Sequence, residues 1–470
     1  MSAVRTMILT LVILALTACV TALAEAVDVT GQCTLKSTSS RTSALTDDDL
    51  TSAWSPSGED AELRIKLPEN GAGYVRIDWK AAPKEFAFLQ YDANRNQIAR
   101  LDSGDTYSGV SHVFPLEESA RYAVLRLADR GQKVSELTVY SSGDLPDDVQ
   151  NWYAPFSKAD ILVVAAHQGD EFACFGGLIP YYTLAEARRV QVAYMTNGDR
   201  SSIQGSLDAL WNAGVVNYPE FVGLDADDPS SLKRAVSGWG GRDALVGAMV
   251  ELIRKYQPDI IVTHDIEGEN GDYQHSATAQ ALKLAMEAAG DEAQYPKSAQ
   301  VYGAWHVKKL YTHLGSEKTI ALDWAQPCEE LGGKSPLEAA RVAYGLYDIK
   351  GEKNCQGEDG TFSLALTNVG DDTSGVDMFE NVYVQPDATD APDAEPEASA
   401  TPDPTPTPAI LFSPEPTLAP APAPGSADGF GDATLKTLLI IGGGMGVMIL
   451  VSVVQALLYS LRRRGRRRRY

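Results

Sequence analysis

Residues 160–171, which read DILVVAAHQGDE, decide the fold of the larger part of this chain. The run up to Ala166 is apolar after its first residue, a pattern typical of a short strand buried on both faces. The spacing of apolar residues predicts a helix over 171–189, and a second apolar strand over 190–196. Continuous apolar strands that alternate with helices predict a parallel sheet covered on both faces.

The same rhythm continues along the chain. We predict a helix over 242–256, an apolar strand over 260–263 and another helix over 276–289. Residues 146–383 are therefore predicted to form an α/β domain, with a Rossmann-like, mostly parallel sheet and helices on both faces. In such sheets, functional sites form beyond the carboxyl ends of the strands.

The preceding residues, 27–145, alternate polar and apolar side chains with a period of two. The strands predicted from this alternation are 62–67, 74–79, 86–91, 122–127 and 136–140. Short, regularly spaced strands without a long helical stretch predict a β-sandwich. The stretch 45–54 and the strands after it resemble discoidin-like or galactose-binding-like modules, which often bind carbohydrate. The alternative is a spacer domain with Trp54 and Trp79 in its core.

The first residues have the pattern of a secretory signal peptide. Arg5 precedes an apolar run over 7–16, and small-residue cleavage sites follow that run. We therefore expect residues 1–26 to be removed and the folded domains to be exported. The alternative is a lipoprotein signal, in which Cys19 is lipidated after cleavage.

The C-terminal part predicts a membrane anchor. Residues 384–434 are rich in proline and are predicted to form a disordered stalk. Residues 435–461 are predicted to be a transmembrane helix, because their apolar run can cross a bilayer core of about 30 Å. The arginine-rich residues 462–470 are then expected in the cytoplasm, with the folded domains at the cell surface.

Charge and cysteine content limit the partners. The formal net charge is −23, and the seven arginines after Leu461 leave 33 basic against 63 acidic residues in the rest of the chain. A surface this acidic cannot hold a polyanion, so nucleic acid is not expected as a partner. Cys328 and Cys355 are candidates for a disulfide, and no cysteine pair has the short spacing of a zinc site. The sequence predicts no oligomeric state.

Polar segments follow three of the predicted strands. They are 167–171, 197–200 and 264–275, and we expect them to converge at one edge of the sheet. His167, Asp170 and His275 supply two imidazoles and one carboxylate, which is the ligand combination of a catalytic zinc site. A histidine and an aspartate three residues apart are also compatible with simple hydrogen bonding.

Several segments of this domain resemble the PIG-L (LmbE-like) deacetylases. Residues 166–171 resemble that family's Ala-His-Pro-Asp-Asp-Glu signature, and 268–275 resemble its Gly-Glu-Tyr-Gly-His-x-x-His loop. Residues 196–200, 210–215 and 377–381 resemble further segments of the family, in the same order. The resemblance extends over 158–382.

The resemblance implies a function and a set of metal ligands. His167, Asp170 and His275 occupy the family's ligand positions, for Zn²⁺ or another divalent metal. The implied reaction removes an acetyl group from an N-acetylated amino sugar or glycoconjugate. Together with the predicted anchor, this indicates a cell-surface, zinc-dependent N-deacetylase.

Two positions depart from the family pattern. Gly169 stands where the family has the aspartate that serves as general base, and Asp272 stands where it has the first histidine of its last motif. Asp272 and Glu171 are the carboxylates that could replace the missing base. The alternative is that Asp272 caps the loop and that the chain is a catalytically impaired relative, which binds carbohydrate at the cell surface.

Three polar residues near the expected ligands are candidates for substrate binding. Asp199 and Arg200 could grip a polar substrate, and His264 lies at a strand end beside the site. A turn in which Asp199 accepts a backbone amide, with Arg200 left in solvent, is the alternative for that pair.

Overall fold

The structure is a computed structural model, and it describes residues 25–37, 42–56, 61–129, 131–314, 319–347 and 360–383. The predicted stalk, transmembrane helix and arginine-rich tail lie outside the described residues, as do residues 1–24 of the predicted signal peptide. Among the described residues, no helix combines the length and the apolar content needed to cross a membrane. Cys355 also lies outside them, so its disulfide with Cys328 stays a prediction.

The N-terminal region forms two antiparallel sheets. Within the described residues its strands are β1 (Thr34–Ser37), β2 (Ala61–Lys66), β3 (Tyr74–Trp79), β4 (Phe86–Tyr91), β5 (Gln97–Asp102), β6 (Ser111–Pro115), β7 (Tyr122–Leu127) and β8 (Val134–Tyr140). One sheet has the order β1-β2-β7-β4-β5 and the other has the order β6-β3-β8. Alternate side chains of β2 are buried, as a period of two requires. Trp54 and Trp79 lie in the core between the sheets, and this strand-rich region is consistent with a β-sandwich.

Glu25 and Ala26, at the end of the predicted signal peptide, contact the strand-rich region. Glu25 forms a bridge with Asp144, and the backbone amide of Ala26 donates to the Asp144 carbonyl over 2.7 Å. The side chain of Ala26 is buried. Both residues, which we assigned to the signal peptide, therefore pack with the sandwich in this structure.

The second region is built on a seven-stranded mixed sheet. Its strands are β9 (Ile161–Ala165), β10 (Val190–Thr196), β11 (Glu220–Leu224), β12 (Ile260–Thr263), β13 (Lys309–His313), β14 (Thr319–Ala321) and β15 (Thr361–Thr367). The order is β11-β10-β9-β12-β13-β15-β14. The first five strands in that order run parallel, and β15 pairs antiparallel with both β13 and β14.

Helices cover both faces of this sheet. In the described residues they are α1 (Asp170–Ala173), α2 (Leu178–Pro180), a π-helical turn (Tyr181–Ala185), α3 (Arg200–Asn212), α4 (Leu232–Gly238), α5 (Arg242–Tyr256), α6 (Tyr273–Ala289), α7 (Pro296–Tyr302) and α8 (Pro336–Tyr344). Ile161 and Val163 of β9 pack in one core with α3 and α8. Leu162 and Val164 point the other way, into a core shared with α5 and α6. The wholly apolar β9 is thus buried on both sides.

The helix predicted over 171–189 is broken into short pieces, so that prediction was wrong in its length. Gly176 adopts a positive φ of 53°, which interrupts the helical path. At Gly177 an added Cβ would lie 2.8 Å from Cγ of Trp324, so the ring of Trp324 needs a residue without a side chain there. The close packing of this segment, rather than its periodicity, determines its conformation.

The sandwich and the α/β region share part of one core. Val110 of the sandwich belongs to the same buried cluster as β9, and its amide donates to the hydroxyl of Tyr218 over 3.0 Å. The rings of Tyr107 and Tyr218 stack with centroids 4.8 Å apart. Nε of Arg200 donates to the carbonyl of Trp79 over 2.9 Å. These contacts fix the orientation of one region against the other.

A buried ion pair anchors the end of the described chain. Lys309, at the start of β13, is fully buried, and its Nζ bonds to the Asp372 carboxylate and to the carbonyls of Met378 and Glu380. The hydroxyl of Tyr311 donates to the other oxygen of Asp372 over 2.6 Å. One ammonium group therefore holds the segment 372–380 against the sheet.

We predict that Lys309→Met lowers the free energy of unfolding by about 3–5 kcal/mol, because it leaves Asp372 buried without its cation. Denaturation by guanidinium chloride measures this loss. Lys297→Met, at an exposed position of α7, is the control and should change stability by less than about 0.5 kcal/mol. Equal stability of the two variants would contradict this role of Lys309.

Candidate metal centre

The loop after β9 places the first two predicted ligands. Gly169 has φ 100° and ψ −23°, a conformation that side-chain-bearing residues rarely adopt. This turn brings Asp170 back towards the strand, so that its Oδ2 accepts the backbone amide of His167 over 2.8 Å. Behind the loop, the Glu171 carboxylate accepts the Gly169 amide over 2.8 Å and the hydroxyl of Tyr347. The loop is therefore held from inside the protein.

Three imidazoles meet at one oxygen of Asp170. Its Oδ2 lies 3.2 Å from Nδ1 of His167, 3.1 Å from Nε2 of His275 and 3.5 Å from Nε2 of His264. Zinc bonds of 2.0–2.2 Å in a tetrahedron place neighbouring ligand atoms about 3.3 Å apart. The distances from Asp170 to His167 and from Asp170 to His275 match that spacing.

Glu269 orients the imidazole of His275. Its Oε2 accepts hydrogen bonds from Nδ1 of His275 over 2.8 Å and from Nδ1 of His264 over 2.9 Å. Its Oε1 accepts from Nδ1 of His313 over 2.9 Å and from the amide of Asp265 over 3.0 Å. With Nδ1 protonated towards Glu269, Nε2 of His275 is left to face Asp170, which is how carboxylates orient metal-binding histidines.

Gln274 orients the imidazole of His167. Its Oε1 accepts from Nε2 of His167 over 2.7 Å, which leaves Nδ1 of that ring facing Asp170. Its Nε2 donates to the carbonyl of Asp225 over 3.0 Å, and this second bond fixes the orientation of the amide. Gln274 and His275 are consecutive residues in the first turn of α6, so one helix end fixes both ring orientations.

The electrostatics of the site favour a bound cation. Burial raises the pKa of Asp170, but hydrogen bonds from His167 and His275 hold it well below its usual range. Burial likewise opposes ionisation of Glu269, yet the neighbouring imidazoles keep its pKa well below normal. Burial lowers the pKa of His275, while its bonds to Asp170 and Glu269 raise it to about 10. Two ionised, largely enclosed carboxylates thus favour a bound cation.

Asp272 lies at the same centre and also caps a helix. Its Oδ1 accepts the amides of Gln274 over 2.7 Å and His275 over 3.2 Å, at the N-terminus of α6. Its Oδ2 lies 3.7 Å from Nε2 of His275, and the side chain is 37% exposed. Donor atoms of His167, Asp272 and His275 all lie within 4.8 Å of one another. Asp272 therefore caps α6 and also lies close to the centre.

A second group of donor atoms lies deeper, at Cys174, His264, Glu269 and His275. In this group Glu269 already receives the N–H groups of both histidines, and Nε2 of His264 accepts the amide of Ala166 over 2.8 Å. A cation in this group would have to displace those bonds. The deeper group therefore supports the centre around Asp170.

Two predicted roles need correction. His264 is fully buried with both ring nitrogens hydrogen-bonded, and burial lowers its pKa, so it orients Glu269 and cannot reach a substrate. Glu171 is also fully buried, and its two oxygens accept bonds from Gly169 and Tyr347, so it supports the loop and is not placed to act as a base. Burial raises its pKa to about 7.

Asp199 and Arg200 have partners within the protein. Oδ1 of Asp199 caps α3 by accepting the amide of Ser202 over 2.9 Å, as the turn alternative expected. Arg200 is not left in solvent, because its side chain is only 7% exposed and binds the carbonyl of Trp79 and the amide oxygen of Gln204. Both residues thus have structural roles in this arrangement.

Four residues that support the centre were not predicted from the sequence: Glu269, Gln274, His313 and Tyr347. Glu269 and Gln274 lie within the polar segment 264–275, between His264 and His275. His313 ends β13, next to β12, and would have been found by the strand-end argument if β13 had been predicted. No local pattern marks Tyr347, which reaches Glu171 from 176 residues away.

The segment that carries His167, Asp170 and His275 is similar to known proteins. Residues 162–286 match the model of the PIG-L family, which is described as GlcNAc-PI de-N-acetylase. A 1D-myo-inositol 2-acetamido-2-deoxy-alpha-D-glucopyranoside deacetylase from Rhodococcus jostii is 31% identical over 183 residues, which are 33% of this chain and 61% of the relative. The chain thus spans about three fifths of the length of that relative.

Two solved structures resemble different parts of the chain. The N,N'-diacetylchitobiose deacetylase from Pyrococcus horikoshii aligns with 42% of this chain and 73% of its own, at 15% identity and a TM-score of 0.31. CpGH89CBM32-4 from Clostridium perfringens, solved with glcNAc-alpha-1,4-galactose, aligns with 25% of this chain and 96% of its own, at 17% identity and a TM-score of 0.23.

We predict that Glu269→Gln weakens zinc binding by about 10–100-fold, because an amide orients the imidazole of His275 less well than a carboxylate does. Competition with a chromophoric chelator measures the affinity. Glu267→Gln, at an exposed position two residues away, is the matched control and should bind zinc as the wild type does. Wild-type affinity in Glu269→Gln would show that Glu269 does not orient a metal ligand.

Proposed function

We propose that this protein is a metal-dependent N-deacetylase, which removes the acetyl group from an N-acetylated amino sugar or glycoconjugate. The proposal rests on the convergence of His167 and His275 on Oδ2 of Asp170, at zinc-like spacing, within the segment that matches the PIG-L family. Related proteins are described as deacetylases of acetamido sugars, which supports this class of substrate. We propose zinc as the metal, in a site that suits other divalent ions as well.

Each group of the centre has a definite part in this proposal. Nδ1 of His167, Oδ2 of Asp170 and Nε2 of His275 would hold the ion. A zinc ion in such a site supplies a water with a pKa of about 7 and polarises an amide carbonyl. Glu269 and Gln274 keep the two imidazoles in the required tautomers, and Glu171 keeps the loop in place.

The general base must come from another position than residue 169. Gly169 carries no carboxylate, and the Glu171 carboxylate is enclosed, so neither can take a proton from water at the centre. Asp272 lies beside His275 and has an oxygen left for this role, because capping uses only its Oδ1. We propose that Oδ2 of Asp272 accepts the proton of the attacking water and passes it to the leaving amine.

The absence of a carboxylate at Gly169 also favours a second function. If Asp272 serves only as a helix cap, the chain lacks a general base and binds N-acetylated carbohydrate without turnover. General acid–base catalysis contributes about 10²–10⁴-fold, so a chain without a base would hydrolyse its ligand barely above background. The measured rate of acetate release separates the two functions.

We also propose that the protein acts outside the cell. The support is in the sequence alone: the apolar run over 7–16 with small residues after it, and the run over 435–461 followed by seven arginines. The excess of acidic residues elsewhere favours a soluble, exposed surface and disfavours nucleic acid as a partner. The substrate would then be a surface or extracellular glycan.

We predict that Asp272→Asn lowers kcat for acetate release from N,N′,N″-triacetylchitotriose by about 10²–10⁴-fold. The amide oxygen of asparagine can still cap α6, so the loss reports the carboxylate and not the helix end. Asp265→Asn is the matched control, because Asp265 also accepts a nearby amide in the same loop, and it should keep activity within about twofold of wild type.

Zinc content of the same variants separates the roles of Asp272. Wild-type zinc content with lost turnover is expected for a base. Loss of zinc together with activity would make Asp272 a ligand, and full activity would rule out its role as the base.

A further inference from the structure

A large cavity lies between the sandwich and the α/β region, and we call it the interdomain cleft. Its volume is about 840 Å³. The sandwich lines it with residues 80–82 and 104–110, and the α/β region lines it with 154–157, 197–198 and 218–221 among others. This volume is near the upper end of the range for small-molecule sites, so the cleft has room for more than one pyranose ring.

The walls of the cleft are fixed relative to each other. The Arg200 to Trp79 hydrogen bond and the stack of Tyr107 on Tyr218 join the two sides at the cleft itself. The amide of Val110 reinforces this junction through the hydroxyl of Tyr218. A ligand would therefore enter a preformed site, without the ordering cost of bringing two loosely linked regions together.

The lining favours a neutral polyhydroxyl ligand over an anion. Nζ of Lys80 donates to the carbonyls of Leu50 and Thr51, and Nζ of Lys255 donates to Glu220 over 2.9 Å. Arg200 binds the carbonyl of Trp79 and the amide oxygen of Gln204, so each basic side chain among the described lining residues has a partner within the protein.

The rest of the lining combines aromatic rings with small polar groups. Phe156, Phe221 and Tyr302 are partly exposed, and Ser108 and Asn197 are exposed beside them. A pyranose presents one face of C–H groups and an edge of hydroxyls, which matches this combination of surfaces.

One loop of the cleft wall contacts the loop that carries His167. Gly198 lines the cleft, and an added Cβ there would lie 3.2 Å from Oε1 of Gln168, the residue after His167. Nε2 of Gln168 donates to the carbonyl of Thr196 over 2.6 Å, which ties the two loops together. A glycan with one sugar at the centre could therefore extend past this wall into the cleft.

We propose that the interdomain cleft is a binding subsite for the neutral sugar residues attached to the unit that is deacetylated. The proposal rests on the deacetylase function and makes its preferred substrate an oligosaccharide. Contacts in the cleft would supply remote binding energy, which raises kcat/KM for long substrates without any change in the metal centre.

The test compares N-acetylglucosamine with N,N′,N″-triacetylchitotriose, using the purified full chain with zinc. We expect kcat/KM to be at least about tenfold higher for the trisaccharide. Ser108→Trp, which fills the cleft from the sandwich side, should remove this preference and leave kcat/KM for the monosaccharide within about twofold of wild type. Tyr302→Ala, on the opposite wall, should reduce the preference without adding bulk.

Ser142→Trp is the matched control, because Ser142 is an exposed sandwich residue that does not line the cleft. It should keep the preference for the trisaccharide. Equal kcat/KM for both substrates in the wild type would overturn the cleft proposal and leave the deacetylase function standing. A preference that survives in Ser108→Trp would also overturn the cleft proposal.

If neither sugar is deacetylated, the proposed function fails and calorimetric binding of the trisaccharide tests the cleft directly. Binding by the wild type and Ser142→Trp, with loss in Ser108→Trp, would support the subsite. No binding by the wild type, or equal binding by all three proteins, would overturn it.

Discussion

The carboxylate of Glu269 is the interaction on which the centre depends. It receives N–H groups from His264, His275 and His313, which come from a strand end, a helix start and a second strand end. An ionised carboxylate in this enclosed position is stable only because these donors surround it. In return it fixes the tautomer of His275, and with it the direction of the nitrogen that faces Asp170. One side chain thus joins three elements of the fold and orients a predicted metal ligand.

Much of the fold follows from local patterns in the sequence. The strand over 190–196 and the helix over 242–256 have the bounds that periodicity predicted, because their burial is continuous or one-sided along the whole element. The helix over 171–189 failed, since the packing of Trp324 against Gly177 is a long-range contact that periodicity does not encode. The antiparallel pair β14 and β15 was missed for the same reason, because its pairing depends on distant strands.

The convergence of side chains was predictable where residue chemistry and position at a strand end coincide. His167, Asp170 and His275 converge as the strand-end argument expects. The errors concern burial: His264 and Glu171 have suitable chemistry, but the structure encloses both and uses every hydrogen-bonding atom. A sequence pattern shows which residues approach a sheet edge, whereas the direction of each side chain depends on hydrogen bonds made across the fold. Asp272 illustrates this, because one of its oxygens caps a helix while the other faces the centre.

Anomalous scattering at the zinc absorption edge, from crystals of the full chain grown with zinc, tests whether the side chains of His167, Asp170 and His275 bind one zinc ion. We expect one strong peak bonded to Nδ1 of His167, Oδ2 of Asp170 and Nε2 of His275, at about 2.0–2.2 Å from each. A zinc peak beside Cys174 and His264 instead, or no peak near Asp170 at saturating zinc, would contradict the account of how this chain builds its metal centre.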